Sequence, residues 1–172
     1  MKKILTILII AIATLLANNI VSAQTENVKP ASRVGGTIGV QLPEMRDVGI
    51  GLNAFFYQAI SKRWFLSFNV GCRYSYSENA YFFRTEEHLF SIPMSAGANV
   101  FLSLKEARPY LGLELGFLKN LESYPSLETI IVPVVGLSIS VSKNISLEIN
   151  TRIEWGYSTN VGLNIGAAYL IP

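Results

Sequence analysis

The chain has 172 residues, half of them hydrophobic, with 14 Lys and Arg, 12 Asp and Glu, one His and one Cys. Lys2 and Lys3 account for the whole formal charge of +2, and the rest of the chain is neutral. A neutral chain of this length gives no basic surface for nucleic acid, and a single Cys72 excludes an internal disulfide.

The first residues have the pattern of a secretory signal peptide. Two lysines precede an apolar run over 4–16, and small residues at 21–23 supply a cleavage site. The run is shorter than the ~20 residues that a membrane-spanning helix needs. The sequence therefore predicts export, with a signal peptide at 1–23, a short tail at 24–32 and a single domain at 33–172.

From Arg33 onward, apolar residues alternate with small or polar ones, which is the period of a strand with two unlike faces. The seventh segment is the clearest, because its apolar face runs from Ile145 to Trp155 while Glu148 and Arg152 lie on the other face. No segment shows a helical period. The predicted strands are 33–42, 48–59, 63–76, 88–103, 108–118, 129–142, 145–157 and 160–171.

The connectors between these strands fall into two groups. Three tight turns, after strands 2, 4 and 6, are centred on Lys62, Lys105 and Lys143. The longest connectors, 77–87 and 119–128, follow strands 3 and 5. All the lysine turns therefore lie at one end of the sheet and both long loops at the other. Short periplasmic turns and longer outer loops are typical of an outer-membrane barrel with both termini in the periplasm.

Two eight-stranded architectures fit this pattern, and the polar face decides between them. A soluble lipocalin-like binding barrel has an apolar cavity and a solvated exterior, whereas a membrane barrel has the reverse. The polar face here is rich in Gly, Ser and Asn. We therefore predict an all-β fold, a closed eight-stranded antiparallel up-and-down transmembrane β-barrel. All lysines after the leader lie outside the predicted strands: Lys29, Lys62, Lys105, Lys119 and Lys143.

Aromatic residues and prolines add two further expectations. Aromatic side chains on the apolar face lie near both strand ends, as in the interfacial belts of membrane proteins. Pro93 and Pro133 fall inside strands, where each removes a ladder donor, so we expect a bulge or a protruding hairpin there. The belt residues are Trp64 and Tyr169 near the turn end, and Tyr74, Tyr76, Trp155 and Tyr157 near the loop end.

The polar face carries a small set of charged residues in mid-strand. An eight-stranded barrel is only just wide enough for side chains to fill it. We therefore predict a structural salt-bridge network that fills the lumen, with a narrow porin-like channel for small solutes or ions as the alternative. The residues of this predicted lumen charge network are Arg73, Glu114, Glu148, Arg152 and Glu154.

The candidate catalytic residues are His88, the only histidine, and the nearby Ser91. A lipid A-modifying acyl hydrolase would need the imidazole within hydrogen-bond reach of the hydroxyl. In an extended strand, residues three apart point to opposite faces about 10 Å apart. We therefore expect a solvated histidine at the outer rim, and we predict no catalytic residues, no metal site and no cofactor.

An aromatic cluster in the second outer loop offers a recognition surface. Tyr81, Phe82 and Phe83 are flanked by charged residues, and an apolar patch with a charged rim suits a protein or surface contact. This cluster is the predicted contact site for an extracellular surface partner.

Three stretches resemble a known family. Ser91-Ile92-Pro93-Met94, then Asn99-Val100-Phe101, then Arg108-Pro109-Tyr110-Leu111-Gly112-Leu113-Glu114-Leu115-Gly116 resemble the outer-membrane β-barrel domain family of small OmpA-like and OmpX-like porin-family proteins. The resemblance covers essentially the whole mature chain. It implies an eight-stranded barrel inserted among outer-membrane lipids by the barrel assembly machinery. Many such proteins end in an aromatic residue, whereas this chain ends Leu170-Ile171-Pro172, so Tyr169 is the candidate to serve instead.

The resulting hypothesis is a monomeric bacterial outer-membrane barrel with a filled lumen. Its role would be structural, or contact with a surface partner through the second outer loop, without catalysis or nucleic acid.

Overall fold

The computed structural model describes residues 31–43, 48–79, 85–121, 127–157 and 159–171. The predicted signal peptide, most of the N-terminal tail and the Tyr81-Phe82-Phe83 cluster lie outside these described residues.

The described ranges form eight strands in one closed sheet, in which each strand pairs antiparallel with its neighbours in sequence. The prediction of a closed eight-stranded up-and-down barrel is confirmed. The strands are β1 Ser32–Pro43, β2 Gly49–Ala59, β3 Trp64–Asn79, β4 Thr85–Phe101, β5 Ala107–Asn120, β6 Leu127–Ser140, β7 Ile145–Trp155 and β8 Thr159–Ile171.

The first and last strands close the sheet. Their register runs from Ser32 opposite Ile171 to Pro43 opposite Asn160, which spans both strands. Closure leaves neither strand with an unpaired edge, and unpaired backbone N–H and C=O groups would each cost several kcal/mol in lipid.

The two faces of the sheet divide as the alternation predicts. In β7, Glu148, Arg152 and every other polar-face residue are buried, while Ile145 and Trp155 are exposed. On the outer wall the mid-strand Leu113 is 58% exposed, and many other large apolar side chains there are also exposed. The polar face therefore lines the lumen and the apolar face covers the exterior, the reverse of a lipocalin-like barrel. The part of the chain that the structure describes contains no helix long and apolar enough to cross a membrane.

β3, β4 and β5 extend farther at the loop end than the hydrophobic pattern predicts, whereas β7 ends at Trp155, two residues short of its predicted end. β3 continues to Asn79 and β4 begins at Thr85, and these two residues are paired. β5 continues to Asn120, so the prediction that Lys119 lies in a loop is wrong. The ladder continues because backbone pairing does not require alternating side chains. Lys119 is only half-buried at the strand end, where its long stem can carry the ammonium to water.

The two prolines are accommodated without the expected bulge. On both sides of Pro93 the β3–β4 register is the same, with Val70 opposite Met94 and Arg73 opposite Ser91. The β6–β7 register is likewise unchanged across Pro133. Each proline interrupts the ladder on one side only, and it pairs normally with β5 on the other. The expectation of a bulge was wrong because losing a single donor does not require an inserted residue.

The orientation of the outer wall can be tested by charge insertion. We expect Leu113→Arg, near the middle of β5, to lower the free energy of unfolding by about 2–4 kcal/mol in lipid vesicles. Ile145→Arg, at the turn end of β7, is the matched control and should cost about 0–1 kcal/mol. Urea unfolding measures both. An equal cost at the two depths would contradict a lipid-facing outer wall.

Candidate functional site

The lumen is the candidate site, and β7 supplies a charged residue to each of three levels within it. Glu148, Arg152 and Glu154 are all buried on the inward face of this strand. Each pairs with an opposite charge from a different strand, which gives three ion pairs among the described residues. Buried charges need such partners because their desolvation is otherwise very costly.

The turn-end level is centred on Arg33 and Glu148. Arg33 is 2% exposed, and its guanidinium lies 3.2 Å from the carboxylate of Glu148. Two serines complete the site: Ser138 accepts from Arg33 at 2.6 Å and donates to Glu148 at 2.7 Å, and Ser146 donates to the same carboxylate oxygen at 2.9 Å. These partners come from β1, β6 and β7, and they tie three strands together.

An aromatic plug lies beside this level. The Arg33 guanidinium lies 4.6 Å from the ring centroid of Phe101, a cation–π contact across three strands. Phe101 in turn packs against Phe65 at 4.9 Å and Tyr110 at 5.3 Å between ring centroids. Tyr110 lies over Gly136, where any added Cβ would collide with its ring. The members of the plug are Phe55, Tyr57, Phe65, Phe101 and Tyr110.

The middle level is built around Glu114. Arg152 donates to its carboxylate at 2.6 Å, and Ser95 donates to the same oxygen at 2.6 Å. Arg152 also donates to Ser95 at 2.9 Å, and Asn69 donates to the other carboxylate oxygen at 2.9 Å. Four strands therefore converge on one carboxylate whose oxygens are fully satisfied.

The loop-end level spans the whole lumen. Both terminal nitrogens of Arg73 donate to the carboxylate of Glu154. β3 and β7 lie four positions apart in the eight-strand ring, so this bidentate pair crosses the barrel diameter. Asn160 donates to Gln41 at 3.0 Å beside it. The pair therefore divides the lumen below it from the loop end.

The structure brings together all five residues of the predicted lumen charge network, but not as one cluster. Arg73 pairs with Glu154 and Arg152 pairs with Glu114, whereas Glu148 pairs with a residue that sequence reasoning missed. Arg33 is the first residue of the first predicted strand, so a network chosen from mid-strand charges leaves it out. Charge balance was the available signal, since two arginines cannot neutralise three buried glutamates.

A buried amide lies between the plug and the middle level. Asn99 is fully buried, and neither atom of its amide hydrogen-bonds to another described residue. The nearby hydroxyl of Ser67 is equally buried and unpaired within the described ranges. Buried polar groups of this kind usually bind internal water, so this part of the lumen has the chemistry of a hydrated pocket.

His88 and Ser91 lie on opposite sides of the barrel wall. Ser91 is buried in the lumen, whereas His88 is exposed on the outer face of β4. The His88 ring packs against Tyr74 at 5.9 Å and Tyr76 at 5.5 Å, and its Nδ1 lies 2.6 Å from the Tyr74 hydroxyl. The histidine thus forms part of an aromatic group at the loop-end rim. The described residues contain no group of three or more His, Cys, Asp or Glu that could hold a metal.

Comparison with solved structures places the fold among outer-membrane barrels. The outer membrane protein OprG from Pseudomonas aeruginosa matches with a TM-score of 0.61 and 9% identity, covering 82% of this chain and 95% of that one. Neisserial surface protein A matches at 0.58 and 16% identity, covering 81% and 95%. Ail of Yersinia pestis, solved with the heparin analogue sucrose octasulfate, matches at 0.52 and 13%, covering 82% and 97%.

Comparison of the sequence with protein families and curated proteins identifies no relative. No family model matches the chain, and no curated protein does. The likeness to the solved barrels is therefore one of fold, the eight-stranded transmembrane β-barrel that the resemblance to small OmpA-like and OmpX-like proteins implies.

The middle ion pair should show strong coupling. We expect Arg152→Met to lower the free energy of unfolding by about 3–5 kcal/mol, because it leaves the Glu114 carboxylate buried without a cation. Adding Glu114→Gln should recover much of this loss, since the neutral amide can still bond Ser95 and Asn69. Urea unfolding of both single variants and the double variant measures the coupling. Additive losses would show that the pair contributes nothing as a pair.

Proposed function

We propose that this chain is an integral protein of a bacterial outer membrane whose filled lumen makes it a structural or surface-interaction barrel without catalysis. The observation that carries the proposal is the set of three ion-pair levels inside a wall that is apolar outside. Side chains from non-adjacent strands meet inside the lumen at these levels, and the Arg73–Glu154 pair crosses its full diameter, which braces a stiff, closed cylinder.

The outer wall supports the membrane location. Exposed large apolar side chains cover it, and exposed Trp64 and Tyr169 near the turn end match Tyr74 and Trp155 near the loop end. Aromatic rings at two levels are typical of the two interfaces of a membrane. The predicted signal peptide would bring the chain to the assembly machinery, and outer-membrane lipids would be its surroundings.

The absence of catalysis is proposed from the placement of the candidate residues. An acyl hydrolase needs its nucleophile and base within hydrogen-bond reach. His88 faces outward and bonds Tyr74, whereas Ser91 faces the lumen. The barrel wall itself separates the two groups.

Surface contact through the second outer loop remains part of the proposal on sequence grounds alone, because Tyr81, Phe82 and Phe83 lie outside the described residues. The Ail structure was solved with a heparin analogue, which is polyanionic. The strand ends beside this loop are acidic in sequence, at Glu78 and Glu86-Glu87. This chemistry disfavours a polyanion and favours an apolar or cationic partner.

A membrane barrel should reveal itself by fractionation and by its behaviour on gels. We expect the full chain, expressed with its leader, to sediment with outer membranes and to migrate faster unheated than boiled on a detergent gel. The closed ladder resists detergent until heated, which explains the difference in migration. Recovery of the protein in the soluble periplasm, with migration unaffected by heating, would refute the proposed location.

A narrow channel is the second candidate, favoured by the hydrated chemistry around Asn99. We expect the wild-type protein to show no stable conductance steps in planar bilayers, because Arg73 and Glu154 bridge the lumen. Arg73→Ser with Glu154→Ser should leave conductance unchanged, because the middle ion pair and the aromatic plug still fill the lumen. Arg152→Ala should lower the thermal stability more than it changes conductance. Steady conductance by the wild type would favour the channel over the filled lumen.

A further inference from the structure

Two of the tight turns are near copies of each other. In the first, the Ser61 N–H donates to the Trp64 carbonyl at 3.2 Å, and in the second the Ser142 N–H donates to the Ile145 carbonyl at 3.1 Å. The serine hydroxyl in each also accepts a backbone N–H within the turn. A lysine directly follows the serine in both turns, so both turns hold a lysine at their tip.

The third turn reaches the same result by different bonds. The N–H of Lys105 donates to the hydroxyl of Ser103 at 3.2 Å, and the side chain of Arg108 donates to the Lys105 carbonyl at 2.9 Å. Its lysine is again exposed. The three exposed turn lysines are Lys62, Lys105 and Lys143.

The charges of the described residues divide along the barrel axis. Besides the ion pair of Arg33, the described turn end carries Lys62, Arg63, Lys105, Arg108 and Lys143 against the single carboxylate of Glu106. At the opposite rim the described side chains of Glu128 and Lys119 carry one charge of each sign, and the sequence of the neighbouring strand ends is acidic, at Glu78, Glu86 and Glu87. The charges of the residues after Lys3 sum to zero, so the net charge does not reveal this cationic ring at one end of the barrel.

Aromatic residues put this ring at the level of lipid headgroups. Trp64 follows the first turn directly and is 53% exposed on the outer wall. Tyr169, opposite Ile145 at the end of the Lys143 turn, is 50% exposed. Such rings lie at the headgroup level of a bilayer, and lysines just beyond them can extend their ammonium groups along that plane.

We propose that the three turn lysines form a binding ring for the anionic headgroups of phospholipids in the leaflet that surrounds the turn end. The inference rests on the proposed membrane location. The ligand class is a phosphodiester lipid with net negative charge, such as phosphatidylglycerol.

The distribution of the turns favours lipid over a periplasmic partner. The turns join β2 to β3, β4 to β5 and β6 to β7, so they occupy three of the four quarters of the barrel circumference, and the ends of β1 and β8 occupy the fourth. A protein or polymer docking from one side would contact one turn or two. A surrounding leaflet contacts all of them at once, which is the geometry that the repeated lysine matches.

The two tryptophans of the chain permit a local test, because Trp64 lies at the turn end and Trp155 at the loop end. Trp155→Phe leaves Trp64 as a reporter, and Trp64→Phe leaves Trp155 as its matched control. Both are refolded into vesicles that contain phosphatidylcholine and phosphatidylglycerol, one of which carries brominated chains that quench a neighbouring indole. The ratio of the two quenching efficiencies gives the relative lipid affinity at each end.

At Trp64 we expect phosphatidylglycerol to be preferred over phosphatidylcholine by roughly fivefold. One lysine near an anionic membrane surface contributes about that factor, and Lys62 is the lysine nearest this reporter in sequence. Lys62→Gln with Lys105→Gln and Lys143→Gln should reduce the Trp64 value to that of Trp155. Lys119→Gln should leave it unchanged. High salt should abolish the preference, because the Debye screening length falls to about 3 Å at an ionic strength of 1 M.

Equal lipid ratios at both tryptophans, or no change in the triple variant, would overturn the headgroup ring. So would loss of binding to purified peptidoglycan in the triple variant with unchanged quenching, since the lysines would then serve a periplasmic polymer. Failure of the wild type to insert, with neither lipid quenching Trp64 and no heat-modifiable migration, would instead refute the membrane location.

Discussion

Every other feature of this molecule depends on the pairing between its first and last strands. Once β1 lies along β8 from end to end, the sheet has no edge, and the strand period of two assigns every residue either to the lumen or to the exterior. Closure permits an apolar exterior in lipid, because every strand then has a neighbour on both sides to satisfy its backbone. It also limits the interior to the volume that eight strands enclose.

That limited volume explains the composition of the polar face. Glycines occur where a lumen side chain lies against the backbone of the neighbouring strand. Tyr110 lies against Gly136 in this way, and Asn99 lies against Gly112. The space they release is taken by the aromatic plug and by three ion pairs whose serine and asparagine neighbours satisfy most remaining oxygens. The few buried charges thus lie where they join strands that are not adjacent in the barrel.

Alternation alone was sufficient to predict the architecture, because the register of a closed barrel leaves each side chain only two directions. It could not predict which charges meet. Glu148 and Arg152 share a face but find partners on β1 and β5, and such pairing depends on the stagger between strands rather than on any spacing in the sequence. Strand ends were also misjudged at Lys119, since ladder hydrogen bonds continue where the apolar pattern stops. The predicted bulges at Pro93 and Pro133 are wrong for a related reason, because the loss of one N–H donor leaves the strand register unchanged.

The concentration of ion-pair partners on β7 means that the last hairpin completes the lumen. Arg33, Arg73 and Glu114 lie on strands synthesised early, and all of their opposite charges arrive together on one late strand. Without β7, these three charged side chains would have no partners inside the barrel, and the sheet would have an unpaired edge. A barrel that lacks the last hairpin would therefore be unstable in a bilayer. The last hairpin therefore completes both the electrical neutrality of the lumen, through β7, and the closure of the sheet, through β8.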